Sequence, residues 1–293
     1  MVAHWGRAVS HVRWLIWFMH SWDEAASAWL VDKHYKKSLY QDRAIIQWLA
    51  QHFSGRSLGE IDREVVMRVA RLKAAEASPA TANRHLALIR SIFRRALHVW
   101  RWVDVIPHIE LFPERGRRVR WLKPEQMRRL LLELPEHQRL TVMFALATGL
   151  RQSNVVRLEW SQVDVRRKMM WIYADQAKGR RDFSVPLNET ALNVLRKCRG
   201  VHPVRVFTYQ GRPFGWANTR AWRQALKRAS IDNFRWHDLR HTWASWHVQH
   251  GTPLFVVQDL GAWSSEQMVR RYAHLAPSNY ADYALAIDEI ISA

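Results

Sequence analysis

Residues 107–121 read PHIELFPERGRRVRW, and this stretch limits the architecture more than any other. Proline removes a backbone donor and glycine relaxes the chain, so no helix or strand is expected to run through it. Its four arginines make it basic. The stretch predicts a linker over 105–120, between a helical domain over 22–104 and a larger domain over 121–293. The chain has 293 residues, enough for two cores of that size. Residues 1–21 are aromatic and His-rich without clear periodicity, and carry no assignment.

The pattern from Trp22 to Asp104 is helical. Its clearest helix starts at Ser78-Pro79, a capping residue followed by proline at the first helical position. Leu86, Ile89, Phe93 and Leu97 form an apolar stripe along it. Arg90, Arg94, His98 and Arg101 form a second, basic stripe, which is either a solvated face or a surface for a polyanion backbone. Beyond the linker, PEQMRRLLLEL predicts a helix opening at Pro124. HQRLTVMFALATG predicts another that ends at Gly149. KMMWIY (168–173) and RDFSVPL (181–187) read as two strands of a hairpin whose turn carries Lys178, and VRVFTY (204–209) reads as a third strand. From Trp216 on the chain is helical again. The expected fold class is therefore mainly α with a small antiparallel β-sheet.

Charge restricts the partners. Lys and Arg number 45 against 26 Asp and Glu, a formal charge of +19. A globular chain this basic points to nucleic acid. Cys198 is the one cysteine, so no intrachain disulfide and no Cys-rich zinc cluster can form, which fits a reducing cytosol. The apolar run WLIWFM (14–19) is too short to span a membrane and is followed by no small-residue cleavage site. No membrane association is expected.

The segment FRWHDLRHTWASWH (234–247) raises a sharper question. His237, His241 and His247 fall at i, i+4 and i+10, the ligand spacing of one class of zinc protease. The rest of that pattern is missing. It needs Glu after the first His and Gly at 244, and Asp238 and Ala244 stand there. Arg240 would set a fixed cation beside the metal, and a helix running on to Gly251 would point His247 away. No metal and no cofactor are expected. Read instead from Arg240, the segment places His237 and Arg240 three apart on one helix face. Guanidinium offers a planar fork of donors to phosphate oxygens, and imidazole moves a proton near neutral pH. The alternative, in which these side chains only pack and pair, stays open at this point.

A second cation is found in ATGLRQSNVVRLEW (147–160). There Arg151 follows the helix-ending Gly149 and precedes a helix expected to be capped by Ser153. In LGAWSSEQMVRRYAHL (260–275), Ser264 and Gln267 fit a capping box, which would set Tyr272 two turns into a helix.

Together these segments resemble the tyrosine recombinases, or phage integrase family. The shared pattern is Arg151 in TGLR, Lys178 in a hairpin seven residues before Val185 of VPL, His237 and Arg240 in HDLRHTWAS, Trp263 in LGAW, and Tyr272 nine residues on. Residues 22–104 look like the family's helical core-binding domain. Many members carry Glu or Asp where this chain has Asn154, and LGAW replaces the commoner LGH or LGGW. About 20 residues precede the core-binding region, so the extra arm-type DNA-binding domain of larger phage integrases is not expected.

The resemblance implies a mixed α/β catalytic domain and a metal-independent chemistry. Tyr272 would attack a scissile phosphate and form a 3′-phosphotyrosine. Arg151 and Arg240 would clamp its oxygens, Lys178 would protonate the departing 5′-oxygen, and His237 would assist the tyrosine's proton. Trp263 would pack the site, and His241 would support the fold. Tyr280 and Tyr283 are the fallback nucleophiles. The implied function is site-specific recombination for prophage or mobile-element integration and excision; a DNA-binding relic that has lost its chemistry is the alternative. The implied partner is a double-stranded DNA recombination site, clasped by the two domains like a C-shaped clamp. Arg90, Arg94, Arg101, Arg115, Arg117, Arg118 and Arg120 would contact that DNA. The chain would be a monomer when free and a tetramer on paired sites, with an accessory DNA-bending protein, in the bacterial cytoplasm and nucleoid. A tail helix at 277–291 would dock on a neighbouring protomer, with docking on its own protomer as the alternative.

Overall fold

The computed structural model describes residues 20–114, 119–177 and 179–276. Several expectations fall outside them: Arg115, Arg117, Arg118, Lys178, the tail helix with Tyr280 and Tyr283, and nearly all of segment 1–21. The chain divides into two compact units, Met1–Gly116 and Arg117–Ala293.

The first unit is helical. A capping box between Ser21 and Glu24 starts α1 (Trp22–Asp32). It is followed by α2 (Leu39–Phe53), α3 (Arg63–Glu76) and α4 (Pro79–Arg95). α4 begins as its sequence predicts, with Ser78 accepting from the Thr81 amide and proline in the first turn. Its stripe of Leu86, Ile89 and Phe93 is buried against the other helices, with Trp22, Leu49 and Phe53. Arg90 Nη2 donates to the Ile109 carbonyl at 2.6 Å, and the Asn83 amide pairs with both the N–H and C=O of Phe112. The stretch read as linker from residue 105 is thus pinned to α4 as far as Phe112.

The second unit is mainly helical with small antiparallel sheets. Its helices are α5 (Pro124–Glu133), α6 (Glu136–Thr148), α7 (Gln152–Val156), α8 (Glu189–Cys198), α9 (Arg220–Arg228), α10 (Asp238–Gln249), α11 (Leu254–Leu260) and α12 (Gln267–Arg270). β1 (Val163–Asp164), β2 (Met169–Ile172) and β3 (Phe183–Pro186) form one sheet in that order, with Met170 opposite both Val163 and Val185. Met170, Ile172 and Val185 turn into the core. The predicted hairpin is present.

Three local expectations need correcting. The stretch 204–209 is not one continuous strand: Arg205 makes a single antiparallel bridge with Glu159, Val206 and Phe207 bury into the core, and β4 (Thr208–Tyr209) pairs with β5 (Arg212–Pro213). α7 starts at Gln152, one residue before the expected cap, since the extended backbone of Arg151 already occupies the cap position and Ser153 lies inside the helix. Ser264 caps nothing; α12 starts after Glu266, and its single turn ends at Arg270. Tyr272 therefore lies beyond that helix, where Val269 and Tyr272 fold into a small apolar cluster with Trp243, Ala244, Val248 and Val257. Among the described residues no helix is long and apolar enough to cross a membrane.

Candidate active site

Arg240 organises the site. It lies in the first turn of α10, and 4% of its surface is exposed. Its Nη1 donates to the Gly149 carbonyl at 2.6 Å and its Nη2 to the Gly261 carbonyl. The guanidinium carbon lies 4.0 Å from the Trp263 ring centroid, a cation–π contact. Each glycine leaves room for an indole packed against it. Gly149 is left-handed (φ +64°) and a Cβ there would run into the Trp243 indole; a Cβ on Gly261 would run into Trp263. The TGLR and LGAW motifs thus supply the two carbonyls that hold the HDLR arginine.

Burial, and next the Arg151 charge, push the Arg240 pKa down, while the Tyr272 phenol opposes them. The three groups therefore share one neighbourhood. Arg151 is half-buried, desolvation lowers its pKa, and its side chain has no hydrogen-bond acceptor among the described residues. Two desolvated guanidinium groups side by side, one of them with its donors uncommitted within the described residues, form a pair chemically suited to an anion such as phosphate. His237 is the most exposed member of the group. Packing around its ring lowers its pKa first, and the Arg240 and Arg151 charges lower it further, so it is neutral at physiological pH.

Tyr272 is fully buried, and burial pushes its phenol up to about 12. Its ring lies 6.0 Å from that of Trp263. Its hydroxyl is 2.5 Å from His241 Nδ1. Burial, and then the neighbouring His237, push the His241 imidazole down to about 4. The residue expected to assist the phenol, His237, makes no hydrogen bond with it among the described residues. Sequence reasoning missed His241 as the hydrogen-bond partner of the phenol, although its position four residues from His237 put it on the same helix face. It also missed the two glycine carbonyls.

Asn154 is buried, and its Nδ2 has no partner among the described residues. Trp263 is half-buried on Arg240 and 6.0 Å from the Trp243 ring. A groove of about 1120 Å³ runs past the start of α10, lined by Arg120, Lys123, Arg223, Lys227 and Arg235 with Asp238 at its side. Of the first unit's expected DNA contacts, Arg94 and Arg101 are exposed, while Arg90 is the half-buried partner of Ile109. Among the described residues no three His, Cys, Asp or Glu side chains come together as metal ligands. α10 runs from Asp238 through to Gln249 with His237 at its N-cap, so the chain makes no turn at residue 244.

Residues 120–279 match the phage integrase family. The integrase of Salmonella phage P22 is 39% identical over 311 residues, 92% of this chain and 80% of that protein. The integrase of Haemophilus phage HP1 (strain HP1c1) is 31% identical over 206 residues, 68% of this chain and 57% of that protein. A lambda integrase dimer solved on a COC′ core site superposes with a TM-score of 0.72 at 17% identity, over 86% of this chain and 77% of that one. The Tn1549 transposon integrase with circular intermediate DNA gives 0.74 at 14% identity, over 91% and 99%. At such identities these two show a shared fold. The family match and the P22 relative carry the assignment: this chain belongs to the phage integrase family of tyrosine recombinases.

Proposed function

We propose that this site-specific DNA recombinase cuts and rejoins strands through Tyr272. The observation that supports it best is the convergence on Arg240 of the Arg151 charge and the Tyr272 phenol, with the Trp263 ring over its face. Two guanidinium groups hold the non-bridging oxygens of one phosphodiester and stabilise the charge that grows on them during attack. Tyr272 forms the 3′-phosphotyrosine and frees a 5′-hydroxyl, so the bond energy is kept for religation without ATP. Lys178, which lies between β2 and β3 in the sequence, is assigned the proton for the departing oxygen. Neutral His237, beside both arginines, fits a hydrogen bond to the phosphate. Because side chains supply the positive charge, the reaction proceeds without a bound metal.

The helical unit, about 22–104, is assigned DNA binding through Arg94 and Arg101, with Arg115, Arg117, Arg118 and Arg120 of the linker 105–120 following the backbone. The catalytic domain is assigned to 121–293. The biological reaction is prophage or mobile-element integration and excision in the bacterial cytoplasm. The chain is taken as a monomer when free and a tetramer on paired sites, with an accessory bending protein; a lambda integrase tetramer has been solved on a Holliday junction.

A nicked duplex carrying the chain's own crossover sequence tests the chemistry, because the short strand diffuses away and traps the covalent complex. Wild-type protein is expected to form a protein–DNA adduct with chelator present. Tyr272→Phe is expected to form none while binding the duplex within a few-fold of wild type. Binding by wild type with no adduct would leave the chain a DNA-binding relic.

A further inference from the structure

We propose that His241 takes the phenolic proton of Tyr272 as its oxygen attacks phosphorus. This rests on the reading of Tyr272 as nucleophile and assigns the proton step to a residue that the motif pattern leaves to the fold. The first observation is contact. His241 Nδ1 is 2.5 Å from the Tyr272 hydroxyl, which has no second partner among the described residues. The second is the division of labour along α10. Arg240 and His241 are consecutive, so they leave the helix about 100° apart. Arg240 faces the two glycine carbonyls, and His241 faces the phenol. The His237 ring stands perpendicular to His241 at 5.1 Å, where the Arg240 and Arg151 charges act on it. The two histidines thus serve different atoms: His237 the phosphate, His241 the nucleophile.

The third observation is the state of the pair. His241 is faced by His237 and Asp238 from its own helix, by Arg235 just before it, and by Arg271 and Tyr272 from the opposing segment. Burial and the cationic neighbours outweigh Asp238 and keep the imidazole neutral. A neutral imidazole accepts at one nitrogen and donates at the other. With Nδ1 accepting, the ring proton lies on Nε2 and the phenol points its proton at His241. This leaves a lone pair on the phenolic oxygen for phosphorus. In the other tautomer the phenolic proton would be buried without an acceptor.

At rest the phenol near 12 and the imidazole near 4 hold the proton on oxygen. As the oxygen–phosphorus bond forms, the phenolic proton becomes strongly acidic and passes to Nδ1. The oxygen–phosphorus bond to the 5′-oxygen breaks, and that oxygen is protonated from the acid assigned to Lys178. On religation the 5′-hydroxyl attacks and gives its proton back to the neutral amine assigned to Lys178, the phosphotyrosine bond breaks, and the imidazolium returns its proton to the phenolate of Tyr272. No oxidant or metal is needed to balance either step.

Single-turnover adduct formation on the nicked duplex tests this with full-length protein. His241→Asn sets an amide where Nδ1 stood, so the hydrogen bond to the phenol survives but the base does not. Its rate is expected to fall about 100-fold, the usual weight of a general base, with DNA affinity and Tm close to wild type. The acidic limb of the wild-type pH–rate profile is expected to vanish with it. In His241→Ala, imidazole added to the buffer is expected to restore part of the rate. His241→Asn within two-fold of wild type overturns the proposal. So does a His241→Ala protein that imidazole leaves unchanged, since a packing role would give that result. If wild type forms no Tyr272-dependent adduct, the reading of the site as a recombinase centre fails instead.

Discussion

At the scale of single residues the site turns on what Arg240 touches. Two of its five N–H donors go to the carbonyls of Gly149 and Gly261, and its face lies on Trp263. Lysine has one ammonium on a flexible stem and cannot serve two carbonyls and a ring at once. In Arg240→Lys at least one buried carbonyl loses its donor, at a cost of about 1–3 kcal/mol. Thermal unfolding should show a Tm lowered by several degrees, and the nicked-duplex assay should show adduct formation cut at least about 100-fold. An unchanged Tm would mean that the carbonyl contacts do not hold the arginine. The residues that the structure brings together here, two guanidinium groups, a tyrosine and a histidine, were legible in the sequence from their motif spacing. The partner of the phenol was not readable. His237 and His241 lie one turn apart on one face, and spacing alone does not say which of them meets a tyrosine some thirty residues on.

At the scale of elements, chain ends decide the geometry. Gly149 stops α6 in the left-handed conformation and releases the chain to present Arg151, as its position after an apolar helical run predicts. The segment before Tyr272 was misread for a physical reason. Ser264 and Gln267 have the spacing of a capping box, but burying Val269 and Tyr272 beneath Trp243 takes only one helical turn, and the chain leaves the helix to do it. Ala262, between Gly261 and Trp263, sits at φ +49°. This chain has alanine where LGGW has glycine, and the left-handed backbone makes it a strained position. The left-handed region costs a non-glycine residue about 1–2 kcal/mol, and the extra freedom of glycine in the unfolded chain offsets about half of that. Ala262→Gly is therefore expected to raise the Tm by about 1–4 °C while leaving the Arg240 contact intact. A lowered Tm in calorimetry would show that the Ala262 methyl contributes packing larger than its strain.

At the scale of the whole molecule the dominant quantity is charge. The +19 formal balance predicts binding that weakens steeply with salt, because each phosphate contact releases condensed counterions. Charge alone does not say which cations make those contacts, and hydrogen bonding separates them. Arg90 and Arg94 read as equivalent members of one basic stripe, a turn apart on α4. Yet Arg90 is half-buried and donates to Ile109, while Arg94 is exposed. A guanidinium spent on a main-chain carbonyl serves the fold, and an exposed one is available to DNA. Equilibrium binding to the crossover duplex, measured from about 50 to 200 mM salt, should fall by orders of magnitude for wild type. Arg94→Ala should flatten the slope of log K against log salt by about one and leave the Tm unchanged. Arg90→Ala should do the reverse, lowering the Tm through the lost Ile109 contact and keeping the wild-type slope. Equal slopes and equal melting for the two variants would mean that the first unit meets DNA through some other face, with the stripe on α4 an ordinary solvated surface.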